Sequence, residues 1–229
     1  MKYKHVFFDL DRTLWDFEKN TEATLNEIYQ SFSLNLYFQS FYDFYTHYKK
    51  VNEKQWELYR QGSITKEFLS TNRFYLTLSE AGNDNKYLAR EIGKKYIHDT
   101  PLKTALYPYT HEVLSNLKQK YNMYILTNGF REVQHLKVNS CNLQKYFIEV
   151  ITSEDCGYMK PSNDFFNYAI NKLEVNTADC IMIGDDLKVD IIGAQNSGID
   201  TIYLNHDLLK HSETPTYEIN NLKQLLSIL

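Results

Sequence analysis

The sequence lacks several features that mark other classes of protein. No apolar run approaches the length needed to span a bilayer. Met1–Lys4 leads straight into an apolar run, so we expect no secretory signal peptide. Only three cysteines, Cys141, Cys156 and Cys180, are present, and they are scattered. This pattern favours a reducing, cytoplasmic setting and argues against a disulfide framework or a zinc site.

The sequence also has no large excess of positive or negative charge. The net charge is -4 and no basic run occurs, which argues against nucleic acid as a partner. The seven histidines show no ligand spacing such as HxxxH. Repeats and low-complexity linkers are absent. What remains is 229 residues, 43% hydrophobic and 24% charged, which is typical of a soluble globular protein with one large domain or a domain plus a smaller one.

The first informative stretch follows directly on the N-terminus. The apolar run Val6–Phe8 predicts a short buried strand, and Asp9 and Asp11 follow it. Side chains two apart in a strand point the same way, and two carboxylates on one side are costly to bury unless something pairs them. A hard cation such as Mg2+ is the usual partner. The alternative is a polar strand exit followed by a helix cap.

After this stretch the pattern becomes helical. Residues from about Asp16 to about Asp99 contain no convincing buried strand, and their apolar residues recur three and four apart. We expect four or five amphipathic helices, with the many Tyr and Phe residues mostly in their core. The predicted domains are therefore a core of residues 1–15 and 100–229 and a helical cap domain of residues 16–99.

From Pro101 onward, strands and helices alternate. Predicted strands lie at Asn122–Thr127, Ile148–Ile151, Cys180–Ile183 and Thr201–Leu204, predicted helices at Tyr109–Lys120, Arg131–Ser140, Asn163–Leu173 and Val189–Asn196, and a short extended piece and a closing helix in Tyr217–Leu229. This alternation predicts an α/β fold with a doubly wound parallel sheet and right-handed crossovers.

Polar side chains follow four of the predicted strands. They are Asp9 and Asp11, Thr127 and Asn128, Lys160, and Asp185 and Asp186. Ligands bind at the carboxyl ends of strands in such a sheet, so we expect all four clusters at one rim. Each alone has an ordinary explanation: a turn, a solvated lysine before a proline, or a helix cap. Four clusters with compatible chemistry favour a phosphate and metal site.

These stretches resemble the motifs of the haloacid dehalogenase-like superfamily. The residues that carry the resemblance are Asp9-Leu10-Asp11-Arg12-Thr13, Thr127-Asn128-Gly129, Lys160-Pro161, and Gly184-Asp185-Asp186 with Asp190. The helical insert lies where that superfamily places its helical cap. Segments such as Trp56–Thr65 and Thr201–Asn205 are similar to the YjjG-type pyrimidine 5'-nucleotidases. Arg12 and Tyr109 depart from the pattern, because relatives often have glycine there.

The resemblance implies roles for these residues. Asp9 is expected to be the nucleophile that forms an aspartyl-phosphate, and Asp11 the acid and base. Mg2+ would be held by Asp9, the Asp11 carbonyl and Asp185, with Asp190 as support or Asp186 as a competing choice. Thr127, the Asn128 backbone and Lys160 would bind the phosphoryl group. An acid at Asp11 favours phosphoryl transfer over dehalogenation, because a halide leaves without a proton.

The substrate is expected to contact the helical cap. Trp56, Tyr59 and Arg60 are candidate cap contacts, although packing in the helical core explains them equally well. The resemblance implies a small phosphorylated metabolite, a nucleoside monophosphate with a pyrimidine or non-canonical base. A phosphatase for sugar phosphates or phosphoglycolate and a binding protein without activity are the alternatives.

Overall fold

A computed structural model describes residues 2–229. Its α/β part is built on a six-stranded sheet in which all neighbouring strands are parallel, in the order β3-β2-β1-β4-β5-β6. The strands are β1 His5–Phe8, β2 Asn122–Thr127, β3 Glu149–Thr152, β4 Cys180–Gly184, β5 Asp200–Leu204 and β6 Tyr217–Ile219. The prediction of a doubly wound parallel sheet is confirmed, and the short extended piece in the tail is its sixth strand.

Ten α-helices accompany the sheet in the part of the chain that the structure describes. They are α1 Phe17–Ser31, α2 Phe41–Arg60, α3 Lys66–Glu80, α4 Lys86–Asp99, α5 Thr110–Leu117, α6 Arg131–Ser140, α7 Ser153–Cys156, α8 Asn163–Leu173, α9 Gly193–Asn196 and α10 Leu225–Ile228. The predicted helix Val189–Asn196 is divided between a π-helical segment, Leu187–Ile192, and α9. No helix within residues 2–229 is long and apolar enough to cross a membrane.

The central strands are buried on both faces. Val6 and Phe8 of β1 belong to one hydrophobic cluster, whereas Phe7, between them, belongs to another. Met182 of β4 shares the second cluster with Phe7, and its neighbours Ile181 and Ile183 share the first. This alternation is what a strand covered on both sides requires, and it explains why these runs are apolar throughout.

The chain divides into two compact units. One contains the residues up to Phe17 together with Thr104–Leu229, and we call it the α/β unit; the other, the helical unit, is Glu18–Lys103. Helices α2, α3 and α4 of the helical unit begin at the side-chain caps Ser40, Thr65 and Asn85.

The helical unit has an aromatic core of its own. Tyr48 stacks on Phe74 with ring centroids 5.2 Å apart, and Tyr96 packs against both rings. All three side chains are buried. Rings of this size bury a large apolar area, so the abundance of Tyr and Phe in this segment is mainly explained by packing.

Candidate functional site

The topology of the sheet brings the first aspartate beside the ends of two other strands. Strand β1 lies between β2 and β4, with Phe8 opposite Ile125 on one side and Ile183 on the other. The backbone amide of Asp9 donates to the carbonyl of Ile183 at 2.9 Å. Asp9 therefore continues the ladder for one residue before the chain turns. The side chains that follow β1, β2 and β4 consequently lie at one carboxyl rim, where parallel sheets bind ligands.

Lys160 is the centre of a buried charge network. Its ammonium group donates to Asp9 Oδ1 at 2.7 Å, to Asp190 Oδ1 at 2.6 Å and to the carbonyl oxygen of Leu126 at 2.7 Å. The Lys160 side chain is 1% exposed. An ammonium has three donors, and here three protein acceptors satisfy them, which offsets the cost of removing the charge from water. A lysine solvated at the surface, the ordinary explanation of Lys160, is excluded.

The turn after β2 fixes the position of Lys160. Asn128 Nδ2 donates to the Lys160 carbonyl, and the Lys160 amide donates to Asn128 Oδ1, both at 2.8 Å. The Thr127 hydroxyl accepts from the amide of Gly129 at 3.1 Å. The side chain of Asn128 thus connects the turn after β2 with the loop that carries Lys160, and the hydroxyl of Thr127 stabilises the turn after β2.

Three carboxylates form a group that could hold a metal ion. One oxygen from each of Asp9, Asp185 and Asp190 lies within 4.8 Å of the others. Oxygen ligands at this spacing suit a hard divalent cation such as Mg2+. The side chain of Asp11 is outside this group. Asp186 is also outside it, because its carboxylate accepts from the amides of Lys188 and Val189 and caps the π-helical segment.

Burial and crowding perturb these acids. The pKa of Asp9 lies well above its ordinary value, because burial and the charges of Asp190 and Asp185 outweigh the opposing effect of Lys160. Burial and the nearby Asp190 raise the pKa of Asp185 to about 7, against the opposing effect of Arg12. Burial also raises the pKa of Asp190. Carboxyl groups with pKa values raised in this way have too little positive charge around them, and a bound divalent cation would supply it.

The backbone of Gly184 allows Asp190 to reach this group. A Cβ atom at Gly184 would lie 2.3 Å from Asp190 Oδ2 and 2.5 Å from its Cγ, far inside contact distance. The amide of Asp186 donates to the same Oδ2 at 3.2 Å. Glycine at the end of β4 is therefore required by the close approach of a side chain from the following helical segment.

Arg12 contributes a side chain as well as a turn. Its φ of 64° is a left-handed conformation that glycine adopts without strain. Its Nε donates to Asp185 Oδ2 at 3.0 Å, and Thr13 Oγ1 donates to Oδ1 of the same carboxylate at 3.4 Å. Arg12 therefore does more than replace the glycine that relatives often have there, because its side chain orients and partly neutralises Asp185.

Asp11 has partners of its own. Lys137 Nζ donates to Asp11 Oδ1 at 2.5 Å, and Gln134 Nε2 donates to Oδ2 at 2.9 Å. Both partners lie on α6, and no motif in the sequence indicates either of them. The available signal was weak: Gln134 and Lys137 fall on the same helix face as Val133 and Val138, where a core-facing helix would carry apolar residues.

The three candidate cap residues lie near the C-terminal end of α2. The rings of Trp56 and Tyr59 meet edge to face with centroids 5.6 Å apart, and Arg60 donates to Glu57 Oε2 at 2.8 Å. All three are partly exposed. Their contact with a substrate stays a prediction.

Comparisons with known proteins identify the family. A model of haloacid dehalogenase-like hydrolases matches residues 3–198. The chain is 31% identical to the pyrimidine 5'-nucleotidase PynA of Streptococcus pneumoniae, over 100% of this chain and 96% of that protein. It is 26% identical to the human N-acylneuraminate-9-phosphatase, over 100% of this chain and 94% of that one.

A third relative has a known structure. The chain is 30% identical to the HAD-hydrolase YfnB of Bacillus subtilis, over 100% of this chain and 96% of that protein. A crystal structure of YfnB, described as bound to magnesium and as revealing interdomain movement, superposes with a TM-score of 0.88, 28% identity, and coverage of 100% and 99%. The resemblance found in the sequence is confirmed, and the chain belongs to the haloacid dehalogenase-like hydrolase family.

Proposed function

We propose that this protein is a Mg2+-dependent phosphomonoesterase that works through a phosphorylated Asp9 and acts on pyrimidine nucleoside 5'-monophosphates. The observation that carries the proposal is the rim itself. A buried aspartate paired with a buried lysine lies beside two further aspartates, and a separately held Asp11 follows it two residues on. These groups match the needs of phosphoryl transfer: a nucleophile, a proton carrier and positive charge at the phosphate.

The reaction has two steps in this assignment. Asp9 attacks phosphorus, the bond from phosphorus to the ester oxygen breaks, and Asp11 gives a proton to the departing oxygen. Water then attacks the phosphorus on Asp9 while Asp11 accepts its proton, and the bond to Asp9 breaks to release inorganic phosphate. Lys160 keeps Asp9 in place through both steps. Thr127 and the backbone of Asn128, at the end of β2, are assigned to the phosphoryl oxygens.

The metal is assigned to the carboxylates of Asp9 and Asp185 and to the carbonyl of Asp11, with Asp190 as support. Mg2+ would supply positive charge to the phosphoryl oxygens at the rim. Asp190 bonds to Lys160, so it also ties the lysine to the metal group. The magnesium described for the structure of YfnB supports this choice of ion.

Two variants and a metal control test the chemistry. We expect Asp9→Asn to lose p-nitrophenyl phosphate turnover by at least about 10³-fold, because an amide cannot serve as the nucleophile. The exposed Asp164→Asn on α8 is the matched control and should keep wild-type turnover. Chelation of divalent ions should abolish activity and added Mg2+ restore it. Sustained turnover by Asp9→Asn, with mass spectrometry excluding reversion to Asp, would refute the assignment.

The substrate class needs its own experiment. PynA, a pyrimidine 5'-nucleotidase, supports a nucleotide, whereas the human N-acylneuraminate-9-phosphatase supports a sugar phosphate as the second candidate. A panel should compare kcat/KM for pyrimidine and purine nucleoside 5'-monophosphates, phosphoglycolate and sugar phosphates under one condition. We expect the pyrimidine nucleotides to be preferred at least about tenfold, which is about 1.4 kcal/mol of transition-state binding. A preference for the sugar phosphates would replace the nucleotidase proposal while leaving the phosphatase chemistry intact.

A further inference from the structure

Asp11 is held by two buried side chains of one helix. Lys137 Nζ lies 2.5 Å from Oδ1 and Gln134 Nε2 lies 2.9 Å from Oδ2, so each carboxylate oxygen has its own donor. The side chain of Lys137 is 4% exposed and that of Asp11 26%. Two donors fixed in the interior of the protein therefore hold a carboxylate that is still accessible at the rim.

The surroundings of these two donors restrict their movement. The ammonium of Lys137 lies 4.2 Å from the centroid of the Trp15 ring, close enough for a cation–π interaction. Gln134 packs against Gly129, since a Cβ atom at that glycine would lie 1.7 Å from its Nε2. Gly129 belongs to the turn after β2 that is assigned to the phosphoryl group. Through Gln134, α6 thus contacts both the turn assigned to the phosphoryl group and Asp11.

We propose that Lys137 and Gln134 are positioning residues that orient Asp11 for its proton transfers, and we call the pair the Asp11 clamp. The inference rests on the proposed function, because it specifies how one residue of that reaction is held. An ionised carboxylate offers about four lone-pair directions, and the clamp occupies two of them. The remaining two can receive a proton from water or return one to the departing oxygen. Fixing the oxygens in this way keeps Asp11 in hydrogen-bond reach of the ester oxygen.

A clamp of this kind affects substrates unequally. A nucleoside 5'-monophosphate expels an alkoxide, which needs a proton as it departs, whereas p-nitrophenolate is stable without one. General acid catalysis contributes about 10²–10⁴-fold, and a misplacement of about 1 Å can cost about 10²-fold. We therefore expect Lys137→Met to lower kcat/KM for uridine 5'-monophosphate by about 10²-fold and that for p-nitrophenyl phosphate by less than about fivefold. The ratio kcat/KM is the right measure, because it reports only the steps up to departure of the leaving group, where the proton is needed.

A second variant separates positioning from folding. Gln134 Oε1 is buried without a hydrogen-bond partner within residues 2–229, so Gln134→Leu removes one hydrogen bond to Asp11 and one unsatisfied oxygen together. We expect its thermal midpoint to stay near the wild-type value while kcat/KM for uridine 5'-monophosphate falls about tenfold. Lys137→Arg keeps the charge and should recover part of the loss. Lys172→Met, which removes the ion pair with Glu149 in the same unit, is the control for loss of a lysine.

The decisive comparison uses Asp11→Asn as background. If the clamp acts through Asp11, adding Lys137→Met to Asp11→Asn causes no further loss of kcat/KM on uridine 5'-monophosphate. Equal losses on both esters, or a full additional loss in the Asp11→Asn background, would overturn the clamp. A wild-type protein that releases phosphate from neither ester refutes the proposed function, and the clamp with it. These outcomes are distinguishable, because the first concerns only the variants.

Discussion

Lys160→Met is the substitution that tests the rim most directly. Methionine keeps the length of the buried stem and removes the ammonium that donates to Asp9, Asp190 and the carbonyl of Leu126. Two buried carboxylates then lose their only close cation among the described residues. Removing one partner of a buried ion pair destabilises proteins by about 3–5 kcal/mol, because the other charge is left without compensation.

The cost should depend on pH with a defined sign. In the wild type the pKa of Lys160 is raised, since the charges of Asp190 and Asp9 outweigh burial. Its stabilisation is therefore complete below its unfolded pKa and lost only in strong alkali. In Lys160→Met the carboxylates of Asp9 and Asp190, whose pKa values burial already raises, favour the protonated form still more. The deficit should be about 4 kcal/mol at pH 8 and fall as acid protonates both groups.

Tryptophan fluorescence can follow this deficit in one unit. The chain has two tryptophans, so in a Trp56→Phe background Trp15 alone reports unfolding of the α/β unit. With a slope of about 2–3 kcal/mol per molar urea, the metal-free midpoint should fall by about 1.5 M at pH 8. Asp190→Asn in addition should restore at least a third of the loss. A shift under about 0.3 M, or a deficit that grows toward pH 5, would refute the reasoning.

Three further outcomes follow from the same acids. Because the pKa of Asp185 is raised to about 7, the folded protein keeps a proton that the unfolded chain loses near pH 4, and the stability of the metal-free protein should fall as the pH rises from about 4 to about 7. The same proton competes with the metal, so calorimetry should show that Mg2+ binds at least about tenfold more weakly at pH 5.5 than at pH 8. Gly184→Ala displaces Asp190, so we expect it to lose about 1–3 kcal/mol of stability and at least tenfold in kcat/KM, measured by denaturation and turnover. Arg12→Gly removes a cation that competes with the metal for Asp185, and it places glycine at a left-handed position. Titration should therefore show that Mg2+ binds at least about threefold more tightly, and weaker binding would contradict this account.

The sequence was sufficient to predict where the rim residues meet. Val6–Phe8 and Cys180–Ile183 are apolar throughout, as a strand covered on both faces requires. Once the strands are parallel, the residues after them share an edge, whatever the intervening loops do. Asp9 and Asp185 could therefore be placed together although 176 positions separate them, and Lys160 could be placed in the same region.

The partners of these residues were not predictable in the same way. Gln134 and Lys137 are ordinary residues of α6, and no spacing in the sequence connects them with Asp11, which lies in the loop after β1. Arg12 illustrates a second limit, because the sequence shows that it departs from the glycine that relatives often have there but not the direction of its side chain. Which carboxylate a cation reaches depends on rotamers and on the packing around Trp15 and Gly129, and these are properties of the assembled core.

Different cations hold the two aspartates after β1, to which the proposed mechanism gives different roles. Asp9 lies in the interior, and Lys160 ties it to Asp190 in a group whose burial makes any change of charge costly. Asp11, two residues on, is more exposed, and its cation Lys137 lies on α6, whereas Lys160 lies in the loop before α8. A nucleophile benefits from fixed geometry and exclusion of water, whereas a proton carrier must exchange with water between the two steps. Because one strand end can present both, the proposed division of roles depends on which element supplies each counter-charge, and it would be lost if one lysine served both carboxylates.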